Sequence, residues 1–340
     1  MITLSRTLDA GGEVNSICVS GSQLFSGIEP ATIETDTIQM WDWREGTVQY
    51  ALDDETILAR SVCVSDDGSM LYCGLYEGEI KVLDVATGAC VQTLEGHRGY
   101  TVWSMCMSED GSRLFSGSQD TTIKVWNVAT GVCIRTLEGH TDEVFSVCVS
   151  GSQLFSGSED KTIKEWNVNT GECSQTLVGH TRSVMSVCVS GSWLYSGSHD
   201  KTIKAWDVPT GTCMHTLTGH TRSVMSMCMS EDGSWLFSGG SDNKIKVWDA
   251  TGACVQTLEG HENSVSSVCV SGSQLFSGSD DSTIKVWHIE SMLHQGLATD
   301  TQTLEGHEDM VNSVCVSGSR LFSGSRDNTI KVWDMATGAC

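Results

Sequence analysis

Fifteen cysteines and ten histidines in 340 residues are enough to build zinc sites, disulfides or thiol catalysis, so their spacing decides what they do. The cysteines are locked to a repeat. Eight occupy the pattern S-[VIM]-C-[VM]-S, at Cys18, Cys63, Cys106, Cys148, Cys188, Cys228, Cys269 and Cys315. Six follow T-G-x, at Cys90, Cys133, Cys173, Cys213, Cys254 and Cys340, and Cys73 stands alone where other copies carry Ser. Cys-x6-His recurs, as in Cys133 to His140, but seven residues of strand at about 3.3 Å each reach roughly 23 Å, far beyond metal-ligand bonds of about 2 Å. Phosphate-loop, nucleophile-elbow, H-E-x-x-H and C-x-x-C signatures are absent. The cysteines therefore read as small apolar strand residues kept reduced, with no metal, no cofactor and no catalytic residue expected.

The elements that position these residues are strands. Copies recur every 40 to 46 residues, the length of a four-stranded unit. Val144 to Val149, Leu154 to Ser156 and Thr162 to Trp166 read as three short strands, and Cys173 to Leu177 as a fourth. Ser150-Gly151-Ser152 closes a tight hairpin, and Thr170-Gly171 turns the chain before the fourth strand. A sheet with two half-apolar faces cannot bury both alone, so the units must stack, and a ring is the stacking without exposed ends. The chain stops at Met335 to Cys340, just where other copies begin an outer strand, while Ser5-Arg6-Thr7-Leu8 resembles that missing strand. The reading is a single all-β domain over residues 1–340: a closed β-propeller of eight four-stranded blades, with seven as the alternative, shut by the N-terminal strand.

Three further markers repeat at fixed offsets. They are Gly-His at His97, His140, His180, His220, His261 and His307; Asp at Asp120, Asp160, Asp200, Asp242, Asp281 and Asp327; and Trp at Trp126, Trp166, Trp206, Trp248, Trp287 and Trp333. Together they closely resemble the WD40 repeat across essentially the whole chain. The resemblance implies that each His and Asp joins a strand Ser and the Trp indole in a buried hydrogen-bond chain, which makes them scaffold rather than catalysts. The first two copies depart: no His near Gly11, Thr35 at the Asp position, and Leu83 in place of Trp. Insertions between Gly27 and Trp41 and between Trp287 and His307 are candidate loops.

A net charge of −23 opposes phosphate backbones and anionic lipid, so nucleic acid and membrane partners are not expected. Hydrophobic residues at 39% and only two prolines suit a large core. A cytoplasmic or nuclear monomer is the expectation, since neither a signal peptide nor a membrane span is visible. Resemblance to WD40 propellers implies a partner face, with loop positions Gln119, Glu159, His199, Ser241, Asp280 and Arg326, together with Met310. Trp103, Phe145, Met185 and Met225 share one position at the start of four consecutive inner strands, held elsewhere by Asn15, Ser266 and Asn312. Either they form an exposed apolar arc, or they share strand parity with Val147 and Val149 and pack between blades. The exposed reading predicts a non-enzymatic scaffold for a protein or peptide that is hydrophobic or basic. Arg182, Arg222 and Arg326 are too scattered, among Glu143, Glu159 and Asp280, for a phosphopeptide. The competing reading is an enzyme or small-molecule binder on the axis, where His199 and Glu159 are the nearest thing to a catalytic pair.

Overall fold

The structure, a computed structural model, describes side chains for residues 60–287 and 303–333 except 66, 88, 231, 272, 273, 317–320 and 328; elsewhere it describes only strand backbone. The insertions expected after Gly27 and after Trp287 fall mainly on 31–37 and 289–300, outside the described residues. No helix among the described residues is long and apolar enough to cross a membrane.

Every repeat folds into a four-stranded antiparallel sheet. In chain order these are sheet 1 (12–51), sheet 2 (59–95), sheet 3 (102–137), sheet 4 (144–178), sheet 5 (184–218), sheet 6 (224–258), sheet 7 (265–304) and sheet 8 (311–334 with 3–9). Sheets 1 to 7 are each made of four consecutive strands. Sheet 8 is composite: it joins three strands of the last repeat to Thr3–Asp9, which pairs with Thr329–Asp334, Leu8 opposite Ile330. The chain gathers into two compact units, one of residues 1–55 and 219–340, the other of residues 56–218. The expected single ring of eight like blades is corrected accordingly. Seven sheets, not eight, are built from four consecutive strands; the remaining one takes its fourth strand from Thr3–Asp9.

Burial explains why the repeat needs these residues. In sheet 4 the second strand, Gln153–Ser158, is buried from Leu154 onward on both faces, the third alternates, and the fourth, Cys173–Val178, buries chiefly Leu177. A strand covered on both faces must be a short apolar or small-residue run, which L-F-S-G-S supplies. Phe115, Ile123 and Leu137 of sheet 3 meet Val144, Leu154 and Trp166 of sheet 4 in one cluster, and Cys106 packs against it. The same residue types join sheets 4 and 5, and, in the other unit, sheets 6 and 7 and sheets 7 and 8. Each fully buried Leu, Val or Phe contributes about 1.5–3 kcal/mol, so neighbouring sheets hold one another. Close approach requires glycine: a Cβ on Gly157 would lie 2.7 Å from Val184 Cγ1 in the next sheet.

One irregularity repeats in the first strand of every sheet. The register shifts between Val102 and Ser104, Val144 and Ser146, Val184 and Ser186, Val224 and Ser226, Val265 and Ser267, and Val311 and Ser313. Sheets 1 and 2 shift likewise at Val14/Ser16 and Ala59/Ser61. Each shift is a β-bulge, which leaves one residue unpaired and re-aims the side chains that follow. Val144 and Val147 consequently join one core cluster though three residues apart, where strict alternation would put them on opposite faces.

Candidate partner-binding face

Six sheets contain the same polar chain. His Nδ1 lies 2.6–2.9 Å from the Asp carboxylate, and His Nε2 lies 2.7–2.9 Å from a Ser Oγ. The Trp indole donates to that same Oγ at 2.8–3.0 Å. In sheet 4 the members are Asp160, His140, Ser156 and Trp166. One proton order satisfies every atom: an ionised Asp160 can only accept, so His140 Nδ1–H donates to it. His140 Nε2 must then accept from Ser156, whose oxygen accepts from Trp166. Ser, His and Asp in this order match a nucleophile triad in connectivity, yet Ser156 is 0% exposed and His140 6%, so no substrate atom can reach them.

Burial works to raise the carboxyls of Asp160, Asp200, Asp281 and Asp327. The hydrogen bonds from the partner His and from a Thr hydroxyl outweigh it and hold all four well below the usual range. Burial also pushes the His307 imidazole down. Both kinds of shift act in the same direction on stability. A depressed folded-state value contributes stability that is present above the unfolded value and lost as pH falls, from 6.5 for His307 and from 3.8 for the aspartates. Urea midpoints are expected to be level above pH 6.5, to slip slightly below it, and to fall steeply below pH 3.8. A midpoint that holds steady into strong acid would remove the network from the stability account.

Sheet 2 lacks the polar chain as a unit. Cys73 replaces the Ser, Leu83 replaces the Trp, and both are buried, so no orphaned donor remains. Burial pushes the free thiols of Cys188 and Cys315 up to about 12. Protonated thiols of this kind are neither nucleophiles nor ready metal ligands. Among the described residues no cluster of His, Cys, Asp and Glu could hold a metal ion.

The bulge residues and the loop positions lie at one end of each sheet. The backbone N–H of Gln119, Glu159, His199, Ser241, Asp280 and Arg326 donates at 2.8–3.0 Å to the carbonyls of Thr101, Glu143, Ser183, Ser223, Ser264 and Met310. In the unit of residues 56–218, the bulges carry Arg60, Trp103, Phe145 and Met185, all half-buried. Trp103 and Phe145 meet edge to face, their centroids 5.6 Å apart. Trp103 Nε1–H donates to Glu143 Oε2 at 2.9 Å, and Gln119 Nε2 donates to Glu143 Oε1 at 3.0 Å. The Arg60 guanidinium lies over the Trp103 ring, 5.0 Å from its centroid. Glu159 and Arg182 are exposed beside His199, whose imidazole is pushed down by burial and by Arg182 against the pull of Glu159.

Met225 lies in the other unit, so the four-residue arc divides into three positions and one. There Met225, Ser266 and Asn312 hold the bulges, Ser266 Oγ–H donates to Asp280, and Ser264 Oγ–H donates to Ser241 Oγ at 3.2 Å. Arg326 Nη1 reaches Met310 Sδ at 3.9 Å, and Arg222 is exposed. The Asn15 side chain lies outside the described residues. Arg60 is the face residue that motif reading passed over. It directly precedes the Ser61 that opens its cysteine motif, as Trp103 precedes Ser104, and that alignment is the signal that could have found it.

A family model described as "WD domain, G-beta repeat" matches residues 88–127, 131–167, 171–207, 211–249, 252–288 and 298–334. No match is found among curated proteins. The chain is similar to the crystal structure of the computationally designed Ika8 protein, at 28% identity and a TM-score of 0.84 over 98% of both chains. Solved chains that match number 1832, so the likeness points to an architecture and not to one activity.

Proposed function

The chain belongs to the WD domain, G-beta repeat family, and on that premise we propose that it is a non-enzymatic interaction scaffold that receives a hydrophobic segment of another protein beside Trp103, Phe145 and Met185. The observation that carries this reading is the fixing of Trp103 by three neighbours, Arg60, Phe145 and Glu143. An aromatic whose rotamer is already set loses little entropy on binding, which is what an anchor needs. A basic partner is disfavoured, because Arg60 already occupies the ring position a basic side chain would use. Thiols that form no disulfide, such as Cys148 and Cys188, suit a reducing compartment, cytoplasmic or nuclear.

Affinity capture from a cytosolic extract tests it, using wild type and a Trp103→Ala/Phe145→Ala variant matched by circular dichroism. Loss of a buried aromatic anchor costs about 2 kcal/mol or more, so captured partners are expected to fall roughly thirtyfold. An unchanged set of partners would make these residues bystanders and defeat the assignment of the face.

A further inference from the structure

We propose that Arg60 is a carboxylate receptor, so that the hydrophobic segment bound at Trp103 carries one acidic group next to its apolar side chain. This rests on the assignment of the face just made and adds the chemistry of the ligand. Arg60 stands at the bulge of sheet 2, half-buried, with its guanidinium 5.0 Å from the Trp103 centroid. A guanidinium presents five N–H donors in a fixed fork. Among the described residues none of the five has a hydrogen-bond or ion-pair partner.

The carboxylate best placed to take them is already committed. Glu143 accepts from Trp103 Nε1 at one oxygen and from Gln119 Nε2 at the other, and it forms no ion pair with Arg60. The bulge matters here: it takes Arg60 out of the strand pairing, and its guanidinium carbon lies over the Trp103 ring, a cation–π contact that restrains the fork. A planar fork held in this way matches the two oxygens of a carboxylate. Arg113 makes the contrast. It lines a cavity of about 260 Å³ with Asp110 and Asn169, but its Nη1 is taken up by Val168 O at 2.6 Å and Asn169 Oδ1 at 3.2 Å.

Charge sets the limit on the ligand. A chain of net charge −23 repels a polyanion, so a single carboxylate on an apolar segment fits where a run of acids or a phosphate cluster does not. Trp103 and Phe145 would take the apolar group, and Arg60 the acid beside it.

The test titrates the full chain with N-acetyl-phenylalanine and, separately, with its primary amide, following the Trp103 indole N–H by NMR; a Trp103→Phe variant assigns the peak. Both probes are expected to shift that peak, the carboxylate binding about tenfold more tightly, as befits a charge-assisted pair. In Arg60→Gln the two should bind alike, at the amide's affinity, with the Trp166 and Trp206 indole peaks unmoved as evidence of folding. Arg60→Lys, which keeps charge but loses the fork, should recover only part of the difference. Equal binding of both probes to wild type overturns the carboxylate assignment and leaves the hydrophobic face standing. If neither probe moves Trp103 at millimolar concentration, the face itself is wrong.

Discussion

Ser156→Ala is expected to destabilise the protein by about 2–6 kcal/mol, since a buried donor or acceptor left without a partner costs about 1–3 kcal/mol and this change leaves two. Ser156 Oγ takes the Trp166 indole N–H at 2.9 Å and bonds His140 Nε2 at 2.7 Å, and water cannot replace it where exposure is 0%. The loss would be a large share of a typical domain stability of about 5–15 kcal/mol. Trp166→Phe removes one of the two stranded groups. The double variant should therefore be less destabilised than the sum of the singles, by about 1–2 kcal/mol. Urea unfolding of the three variants measures that coupling, and strict additivity would mean that the hydroxyl is not the hub of the chain. Sheet 2 already carries the compensated form, with Cys73 and Leu83 in place of the Ser and Trp.

Gly78→Ala should be the other severe change, about 3 kcal/mol or more. Gly78 has φ of +86°, and a Cβ there would lie 1.7 Å from the His97 carbonyl oxygen and 2.8 Å from that of Tyr100. Both obstacles are backbone, so relief requires the loop between sheets 2 and 3 to move, and with it His97, whose imidazole bonds Asp120 and Ser116. Gly99 in the same loop is the matched control. Its φ is +73°, but an added Cβ meets nothing within 4 Å, so Gly99→Ala should cost only the left-handed strain, about 1–2 kcal/mol. Thermal unfolding of the pair separates collision from strain. Equal losses would show that the close approach at Gly78 is not tight.

The repeat, its strands and the polar chain were legible because each depends on local chemistry repeated many times. L-F-S-G-S can be buried on both faces only as a strand, and a Trp, a His and a Ser that recur at constant offsets need one another. The face was only half legible. Trp103, Phe145 and Met185 could be aligned by position, but alternation along a strand left them undecided between packing and exposure.

Tertiary structure places all three, half-buried, at bulges, which depend on how two strands pair and leave no mark on either strand alone. It also brought together residues far apart in the chain: Arg60 over Trp103, and Glu143 between Trp103 and Gln119. Amino-acid order by itself determined what each repeat must bury and which polar groups must satisfy one another, because those demands are local. Which side chains from different repeats meet was decided by the packing of one sheet on the next, because only that packing sets distances between residues that the chain keeps forty positions apart.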